Sequence, residues 1–507
     1  MNGHCPAPYL AEYQELYDKY GLCSEETFTK GYLELQKAAY LSRSPMECIL
    51  MGEFYYIHEV YATAIFLWEI VRDHSIARRL LGNAYLDGRG VVKDTKKGIA
   101  LLESATAQGD HTAAFVLGTC YRNGNEVDKD DVKALALFQS GAEAGHLSCK
   151  YAVGVMMVFG GIGVEKNEEK GIATLQELCN QGHAESALRL SHLYNGGVGV
   201  EKDLQKSLEY AKLAFNLGNH EAAFFIGLRY YIGTGPEGKR DCQQAKEFFE
   251  QAAAKGNVQA HEFLGRLYFH GDGVAKDFEM AAYYNGVAAQ KGDQIAQLNL
   301  GIQYSTGEGV PKDQMKAIFW YQQSVAQGYY LAQYYLGLAY LRGEGVMKDP
   351  GRAVHLLEQA AIHDKDTCIR VMNKLGSMFL DGTDGLSKDV RRACGYFQKA
   401  ADQGSSFAQN SLGMIYWKSG QPAIPKDTKK AVHYFNLAAS RGYAAAQSNL
   451  GRLYVFELRL FREAAELFQE AHLQNYPETW FHLYQMYERG LGVPLDVAKA
   501  AAYKKRH

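Results

Sequence analysis

The feature of this chain that most constrains its fold is a short segment that recurs thirteen times along the 507 residues. Its clearest copies read Leu-Gly-x-x-Tyr, at 81–85, 264–268 and 450–454. Ten of the twelve intervals between successive copies are nearly equal in length. A fixed period of about 36–39 residues is typical of a stacked array of repeats, in which each unit contacts only its neighbours. The sequence therefore predicts a repeat array and argues against a single globular core.

We call the central position of each copy the anchor. Glycine fills it in eleven copies and is replaced in two, at Ser191 and Tyr484. Two intervals are shorter, the one that begins at Gly52 and the one that begins at Gly451. Terminal units of such arrays are commonly atypical, because they cover an open apolar end. The anchors are Gly52, Gly82, Gly118, Gly154, Ser191, Gly227, Gly265, Gly301, Gly337, Gly376, Gly413, Gly451 and Tyr484.

A second landmark, a Val-x-Lys-Asp-like run, follows ten of the anchors at a nearly constant distance and ends in Asp or Asn. Either side chain caps a helix well, because its oxygen accepts a free backbone N–H of the first turn. Fifteen residues later a glycine recurs in nine copies, with Asp364 in the remaining one. Glycine is the usual residue just past a helix C-terminus. Each unit is therefore predicted to contain helix A, which carries the anchor, then a glycine-rich loop, then helix B. The capping residues are Asp94, Asp130, Asn167, Asp203, Asp241, Asp277, Asp313, Asp349, Asp389 and Asp427.

Helix B has its apolar residues at fixed distances from this cap. After Asp427 they include Ala431, Phe435 and Ala438, at the spacing of three and four residues that places side chains on one face of a helix. Small residues allow two helices to approach closely, and the aromatic rings are expected to fill the space between neighbouring repeats. We therefore assign most of the 35 tyrosines and 23 phenylalanines to packing.

These motifs together resemble the Sel1-like repeat, a member of the tetratricopeptide-like α-solenoids. They are Ala-x-x-x-Leu-Gly-x-x-Tyr, then Gly-x-Gly-Val-x-Lys-Asp, then a helix that ends Ala-Ala-x-x-Gly. The resemblance implies an all-α, right-handed α/α superhelical solenoid of about twelve helix-turn-helix repeats. Three extra residues after Asp364 depart from the pattern, and we expect them to bend the superhelix near 368–371.

The repeats divide the chain into two parts. Residues 1–45 lie outside the clear copies and are predicted to form an N-terminal helical cap or a degenerate repeat. Residues 46–507 are predicted to form one Sel1-like repeat array, because no Ser-, Pro- or Gly-rich linker interrupts them.

Composition argues against several classes of partner. The net charge is −3 with both signs interspersed, so we expect no nucleic-acid binding. A membrane-spanning helix needs about 20 consecutive apolar residues, and no run of that kind occurs, so we expect no membrane insertion. The beginning of the chain lacks the charged and apolar regions of a signal peptide, and nine cysteines have no fixed place in the repeat. Together these features favour free thiols in the cytoplasm.

The chain shows no signature of an enzyme. It has no Walker-type phosphate loop, no C-x-x-C and no H-E-x-x-H. His261 and His270 are nine residues apart, on opposite sides of an ideal helix, so they do not form a zinc site. We therefore predict no catalytic activity, no metal and no cofactor. An enzyme remains an alternative that would require paired carboxylates, or a His–carboxylate pair, away from the capping positions.

The A helices offer the best candidate for a binding surface. In tetratricopeptide-like solenoids they line the concave wall, and positions three before, one after and four after the anchor share a face. We call this surface the A face. The position after the anchor is varied although its flanks are regular, which indicates solvent or a partner. The members of this series are Asn83, Thr119, Val155, His192, Leu228, Arg266, Ile302, Leu338, Ser377, Met414, Arg452 and Gln485.

The middle of the A face is predicted to be an apolar groove with arginines at its edges, suited to an extended peptide or a partner helix. Leu341 is expected to lie beside it. The alternative is that these side chains pack on neighbouring A helices or face water. The predicted partner-binding residues are His192, Phe224, Leu228, Tyr231, Arg266, Ile302, Tyr334, Leu338, Met414 and Arg452.

The resemblance to the Sel1-like repeat implies the leading hypothesis, a non-catalytic adaptor or scaffold that binds a protein or peptide on the concave face. An inhibitor or immunity protein that neutralises a single toxin or enzyme is the alternative, and it would show one tight, salt-sensitive partner. Self-association through the open ends of the array is also compatible with the sequence.

Overall fold

The structure, a computed structural model, describes residues 44–124, 127–235, 238–418 and 424–504. These residues form 26 α-helices and no β-strand. The predicted all-α helix-turn-helix array is thus confirmed, whereas almost all of the predicted cap at 1–45 lies outside the described residues. In chain order the helices α1 to α26 are Pro45–Ile57, Tyr61–Ile70, Ser75–Asp87, Thr95–Ala107, His111–Asn123, Asp131–Glu143, Leu147–Phe159, Glu168–Asn180, Ala184–Gly196, Leu204–Asn216, Glu221–Ile232, Cys242–Ala254, Val258–His270, Phe278–Gln290, Gln294–Thr306, Gln314–Ala326, Tyr330–Arg342, Pro350–Ala360, Lys365–Asp381, Val390–Asp402, Ser406–Lys418, Thr428–Ala439, Ala444–Leu453, Phe461–Leu473, Glu478–Arg489 and Val497–Lys504.

The chain divides into two compact units, one up to Ala252 and one from Ala253. In both units the odd-numbered helices are A helices and the even-numbered ones are B helices. Within each unit a helix packs against the next one in the chain. Each repeat is thus a helix pair that buries its apolar faces against itself and its neighbours.

Helix beginnings follow the predicted capping residues. All ten Asp or Asn side chains accept a backbone N–H from the first turn of the B helix. In one repeat Asp94 Oδ1 accepts from the Lys97 backbone N at 3.0 Å. The nine glycines that follow the B helices have φ between +76° and +95°, the left-handed conformation that glycine adopts without steric cost. Both landmarks are confirmed.

Asp364 behaves differently from the nine glycines. Its φ is −148°, and its side chain accepts from the backbone N atoms of Asp366 and Thr367, so it is the N-cap of α19. That helix has 17 residues, one turn more than the 13 of most A helices here. The extra residues extend α19 at its N-terminal end, and the bend of the superhelix expected near 368–371 stays a prediction. A capping Asp is compatible with this turn, since its oxygen satisfies the first free N–H groups.

The anchor glycine lies where helices A and B of one repeat touch. A Cβ built at Gly413 would lie 2.6 Å from the ring of Phe435, which is eight residues after the cap and fully buried. Where Ser191 replaces the glycine, the position eight residues after the cap holds Ala211. The larger anchor is therefore paired with a smaller residue at the facing position of helix B, and the hydroxyl groups of Ser191 and Ser207 lie 3.3 Å apart.

Candidate functional site

The positions on either side of the anchor have opposite environments. From Leu81 to Leu483, the residue before the anchor is apolar and buried in all twelve repeats. The residue after it is at least partly exposed in eleven of the same twelve. Successive residues are separated by about 100° around a helix, so one position points into the helix pair and the next lies along the A face.

In the first unit, four predicted residues lie on two A helices. His192 is on α9 and is exposed, whereas Phe224, Leu228 and Tyr231 are on α11 and are half-buried. The rings of Phe224 and Tyr231 have their centroids 5.7 and 6.4 Å from that of Phe249. These two rings therefore contribute to packing inside the repeat as well as to the surface.

In the second unit, six predicted residues lie on five A helices and all are half-buried. Ile302, Tyr334 and Leu338 pack against the same buried apolar cluster. Met414 packs against a separate cluster nearer the end of the unit. The structure thus groups three of the predicted residues and leaves Met414 with different neighbours.

Two residues assigned to this surface belong instead to the core. Leu341 is only 1% exposed. Four residues correspond to about 400° of helix, so this position is only about 40° from the buried anchor. Val155 is 3% exposed and is part of an apolar cluster that includes Leu190 on the next A helix. The expectation that these two side chains lie on the surface was wrong.

The first unit contains a groove on the A face that was not predicted. It has a volume of about 760 Å³ and lies between α3 and α5. Asn83 and Thr119, which follow their anchors, line it together with Leu86 and Phe115. The prediction favoured apolar members of the varied series, and the polar side chains at these two positions gave no such signal.

Glu262 is the functional candidate that sequence reasoning missed. It lies three residues before an anchor on α13 and is 3% exposed. Burial raises the pKa of Glu262 to about 7; Arg266, 3.8 Å away, opposes this effect, and Asp293 adds to it. Its Oε1 atom is buried without a hydrogen-bond partner. Asp293 is the N-cap of α15, so the two acids are not the off-cap carboxylate pair that the enzyme alternative requires.

Arg452, also a predicted residue, lies between two other A helices of the second unit. Its Nη1 is 3.5 Å from Asn449 Oδ1, and its guanidinium carbon lies 5.5 Å from the centre of the Trp417 ring. Asn449 in turn donates from Nδ2 to Asn410 Oδ1 at 3.0 Å. Burial, together with the charge of Arg452, lowers the pKa of His482 on α25 to about 4.

Within the described ranges, no cluster of three or more His, Cys, Asp or Glu side chains could hold a metal ion. The longest described helix has 17 residues, and none of the described helices has the length and hydropathy of a membrane-spanning segment.

Comparison with known families identifies the repeat. The family described as Sel1 repeat matches eleven segments of the chain, which together cover well over half of it. The short repeats anchored at Gly52 and Gly451 lie outside all of these segments, yet both fold as helix pairs. The repeat is typical of protein-interaction scaffolds. The matched segments are 75–110, 111–146, 147–183, 184–219, 220–257, 258–293, 294–329, 331–364, 369–405, 406–443 and 485–503.

One solved structure gives the same result for the fold, and two others are reported as similar in sequence. The chain is similar to a protective antigen present in uropathogenic Escherichia coli strains that displays an SLR fold, with 29% identity over 80% of this chain and 86% of that one and a TM-score of 0.62. A Sel1 repeat protein from Oxalobacter formigenes is 27% identical over 63% of this chain and 90% of its own, with a TM-score of 0.49. An immunity protein from Pseudomonas aeruginosa is 21% identical over 52% and 82%, with a TM-score of 0.27. No curated protein matches the sequence.

Proposed function

Because the chain belongs to the Sel1 repeat family, we propose that it is a non-catalytic adaptor or scaffold that binds a protein or peptide on the A face. The observation that carries this proposal is the contrast on either side of the anchor. Packing keeps the residue before it apolar in every repeat from 81 onward, whereas the residue after it, which is at least partly exposed in eleven of these twelve repeats, varies in charge, size and polarity. A surface that packing does not constrain can be adapted to a partner.

Rigid presentation supports the same proposal. The A face is built on helices whose ends are fixed by side-chain caps and left-handed glycines. A preorganised surface loses little conformational entropy when a partner binds, so many modest contacts can add up to useful affinity. The proposed location is the cytoplasm, because no disulfide bond joins the seven cysteines in the described ranges.

The test is co-purification of partners with the tagged full chain and with two triple variants. One variant replaces Arg266, Leu338 and Arg452 on the A face by serine. The matched control also replaces one apolar residue and two arginines by serine, at exposed positions of B helices in the same unit: Met315, Arg391 and Arg462. Far-UV circular dichroism of all three proteins establishes that they fold alike.

A partner that the control retains and the A-face variant loses would support the proposal. A partner retained by both would move the binding surface to loops or B helices and contradict it. One partner bound tightly and released by salt would favour the inhibitor or immunity alternative over a scaffold with several partners.

A further inference from the structure

Arg452 has no counter-ion among the described side chains. It follows the anchor Gly451 on α23 and is half-buried. Among the residues that the structure describes, no carboxylate oxygen lies within 4 Å of its guanidinium group. Its single hydrogen bond is the long one to Asn449, and its Nε is buried without an acceptor. A buried donor without a partner costs about 1–3 kcal/mol, and more when the group is charged.

A buried arginine on an A helix of the first unit does have a counter-ion. Arg79 Nε lies 3.1 Å from Asp110 Oδ2, so the repeat itself supplies the acid there. At Arg452 the carboxylate nearest to the Trp417 ring is Glu457, and it is already occupied. It accepts from Trp417 Nε1 at 2.8 Å and from Lys426 Nζ at 2.6 Å, and the second oxygen accepts from a threonine.

The groups around Arg452 favour an anion. Asn410 receives the Asn449 hydrogen bond on its carbonyl oxygen, which leaves its NH₂ group as a donor without a partner in the described residues. His482, with its pKa lowered, is neutral near pH 7 and adds no second positive charge. The site therefore combines one full positive charge with amide donors, and the Nη groups of half-buried Arg452 can donate to the two oxygens of a carboxylate.

We propose that Arg452, assisted by Asn410, binds the carboxylate of an Asp or Glu side chain in a peptide segment that lies along the A face of the second unit. The inference rests on the proposed function and specifies the chemistry of the partner. A phosphate would bring close to two negative charges and is typically met by a cluster of arginines, whereas a single arginine balances one carboxylate. Half-buried Met414 and Trp417, on the preceding A helix, would contact the methylene groups beside that carboxylate.

The test uses a random peptide library displayed on phage, selected on the full-length protein. Peptides displayed as N-terminal fusions have no free C-terminal carboxylate, so any acidic preference comes from side chains. Selected peptides are then synthesised with an amidated C-terminus, and their dissociation constants are measured by fluorescence anisotropy. Each is made with its common acidic residue and with that residue replaced by the corresponding amide.

The variants are Arg452→Gln, Arg452→Lys and the matched control Arg462→Gln. Arg462 lies on a B helix of the same unit, with its side chain 83% exposed. We expect selected peptides to share an Asp or Glu and to bind at least about tenfold more weakly to Arg452→Gln than to wild type. Replacing the peptide's acid by its amide should produce the same loss in wild type and no further loss in Arg452→Gln. Arg452→Lys should retain part of the affinity, because it keeps the charge and loses the planar edge.

Two other outcomes would overturn the inference, and they are distinguishable. Peptides without an acidic preference that bind Arg452→Gln as well as wild type would remove the carboxylate site and leave a peptide-binding scaffold in place. If wild type selects no peptide at all, peptide binding on the A face fails, and the inference fails with it. Circular dichroism and urea unfolding of Arg452→Gln exclude misfolding as the cause, since Gln removes a charge that has no counter-ion.

Discussion

At pH 8 the Glu262→Gln protein is expected to be more stable than wild type, whereas at pH 5 the two should have similar stability. Glu262 is almost completely buried on α13. Asp293, which caps α15, raises the pKa of Glu262 further, and the interaction with Arg266 at 3.8 Å is too long to offset burial. The ring of Tyr329, which precedes α17, also lies within the electrostatic reach of these three groups.

The size and sign of the effect follow from the pKa of Glu262. It is raised from an ordinary 4.5 to about 7, so the folded chain binds this proton more tightly than the unfolded chain does. The resulting stability is fully present below the unfolded pKa and is lost as pH rises through the folded one. Each pKa unit corresponds to 1.36 kcal/mol, which gives a loss of about 3 kcal/mol between pH 4.5 and pH 8. Glutamine does not titrate and avoids this loss.

The assay is urea unfolding at pH 5.0 and pH 8.0, followed by far-UV circular dichroism. Hydrogen exchange over Val258–His270 and Gln294–Thr306 would show whether the gain is local to the helices that contain Glu262 and Asp293. The matched control is Glu247→Gln, because Glu247 is exposed in the middle of a B helix. Glu262→Leu is the second variant, since the next repeat has buried Leu298 at the equivalent position.

A Glu262→Gln protein that is less stable than wild type at pH 8 would contradict this prediction. That result would mean that ionised Glu262 is held by Arg266 strongly enough to outweigh its burial. An equal gain at pH 5 and pH 8 would also contradict it, because such a gain would not come from titration of Glu262. A response of the same size in Glu247→Gln would show a general effect of removing negative charge.

Two further predictions concern the packing of the repeats. Arg79→Met leaves the carboxylate of Asp110 nearly buried without its partner, and we expect a loss of about 3 kcal/mol in the free energy of unfolding, measured by urea unfolding at pH 7; an unchanged urea midpoint would show that the pair contributes nothing. Gly413→Ala places a Cβ 2.6 Å from the Phe435 ring and should cost about 1–3 kcal/mol, whereas Gly395→Ala, where no atom lies within 4 Å of the new Cβ, should stabilise by about 0.5–1 kcal/mol. Equal effects of the two alanine substitutions on the urea midpoint would contradict the contact between anchor and ring.

The periodic part of the fold was predictable because it depends on local rules. A capping Asp such as Asp94 and a left-handed glycine such as Gly109 act on the backbone within a few residues, so their spacing specifies the helix ends. The exposure of individual side chains was less predictable. Helical periodicity assigned Leu341 to the surface, but the adjacent helices enclose that sector, and the sequence of one helix does not show how wide the enclosed sector is. The burial of Glu262 was not predicted for the same reason: the sequence of its helix does not show how much of that helix its neighbours enclose.

One contact rule explains why Glu262 differs from its counterparts in other repeats. In five repeats the residue three before an anchor interacts with the N-cap residue of the A helix in the following repeat. In most of the resolved cases the two side chains are chemically matched: an arginine with an aspartate, an aromatic ring with a histidine, an asparagine with a serine. Glu262 and Asp293 are the mismatched pair, two acids at the same contact. These pairs are Arg79 with Asp110, Phe115 with His146, Tyr151 with His183, Glu262 with Asp293, and Asn373 with Ser405.

Glu262 and Arg452 differ in how their buried charge can be compensated. At Glu262 protonation reduces the free-energy cost of burying a charge, so this side chain becomes neutral without another molecule. Arg452 has no such route, because a guanidinium group does not deprotonate in proteins. Its charge is compensated only by an acid from outside the described chain or by water. Both Glu262 and Arg452 are charged side chains at positions where burial disfavours charge. Of the two, only Arg452 needs another molecule to compensate its charge, so the partner-binding proposal is tested at Arg452.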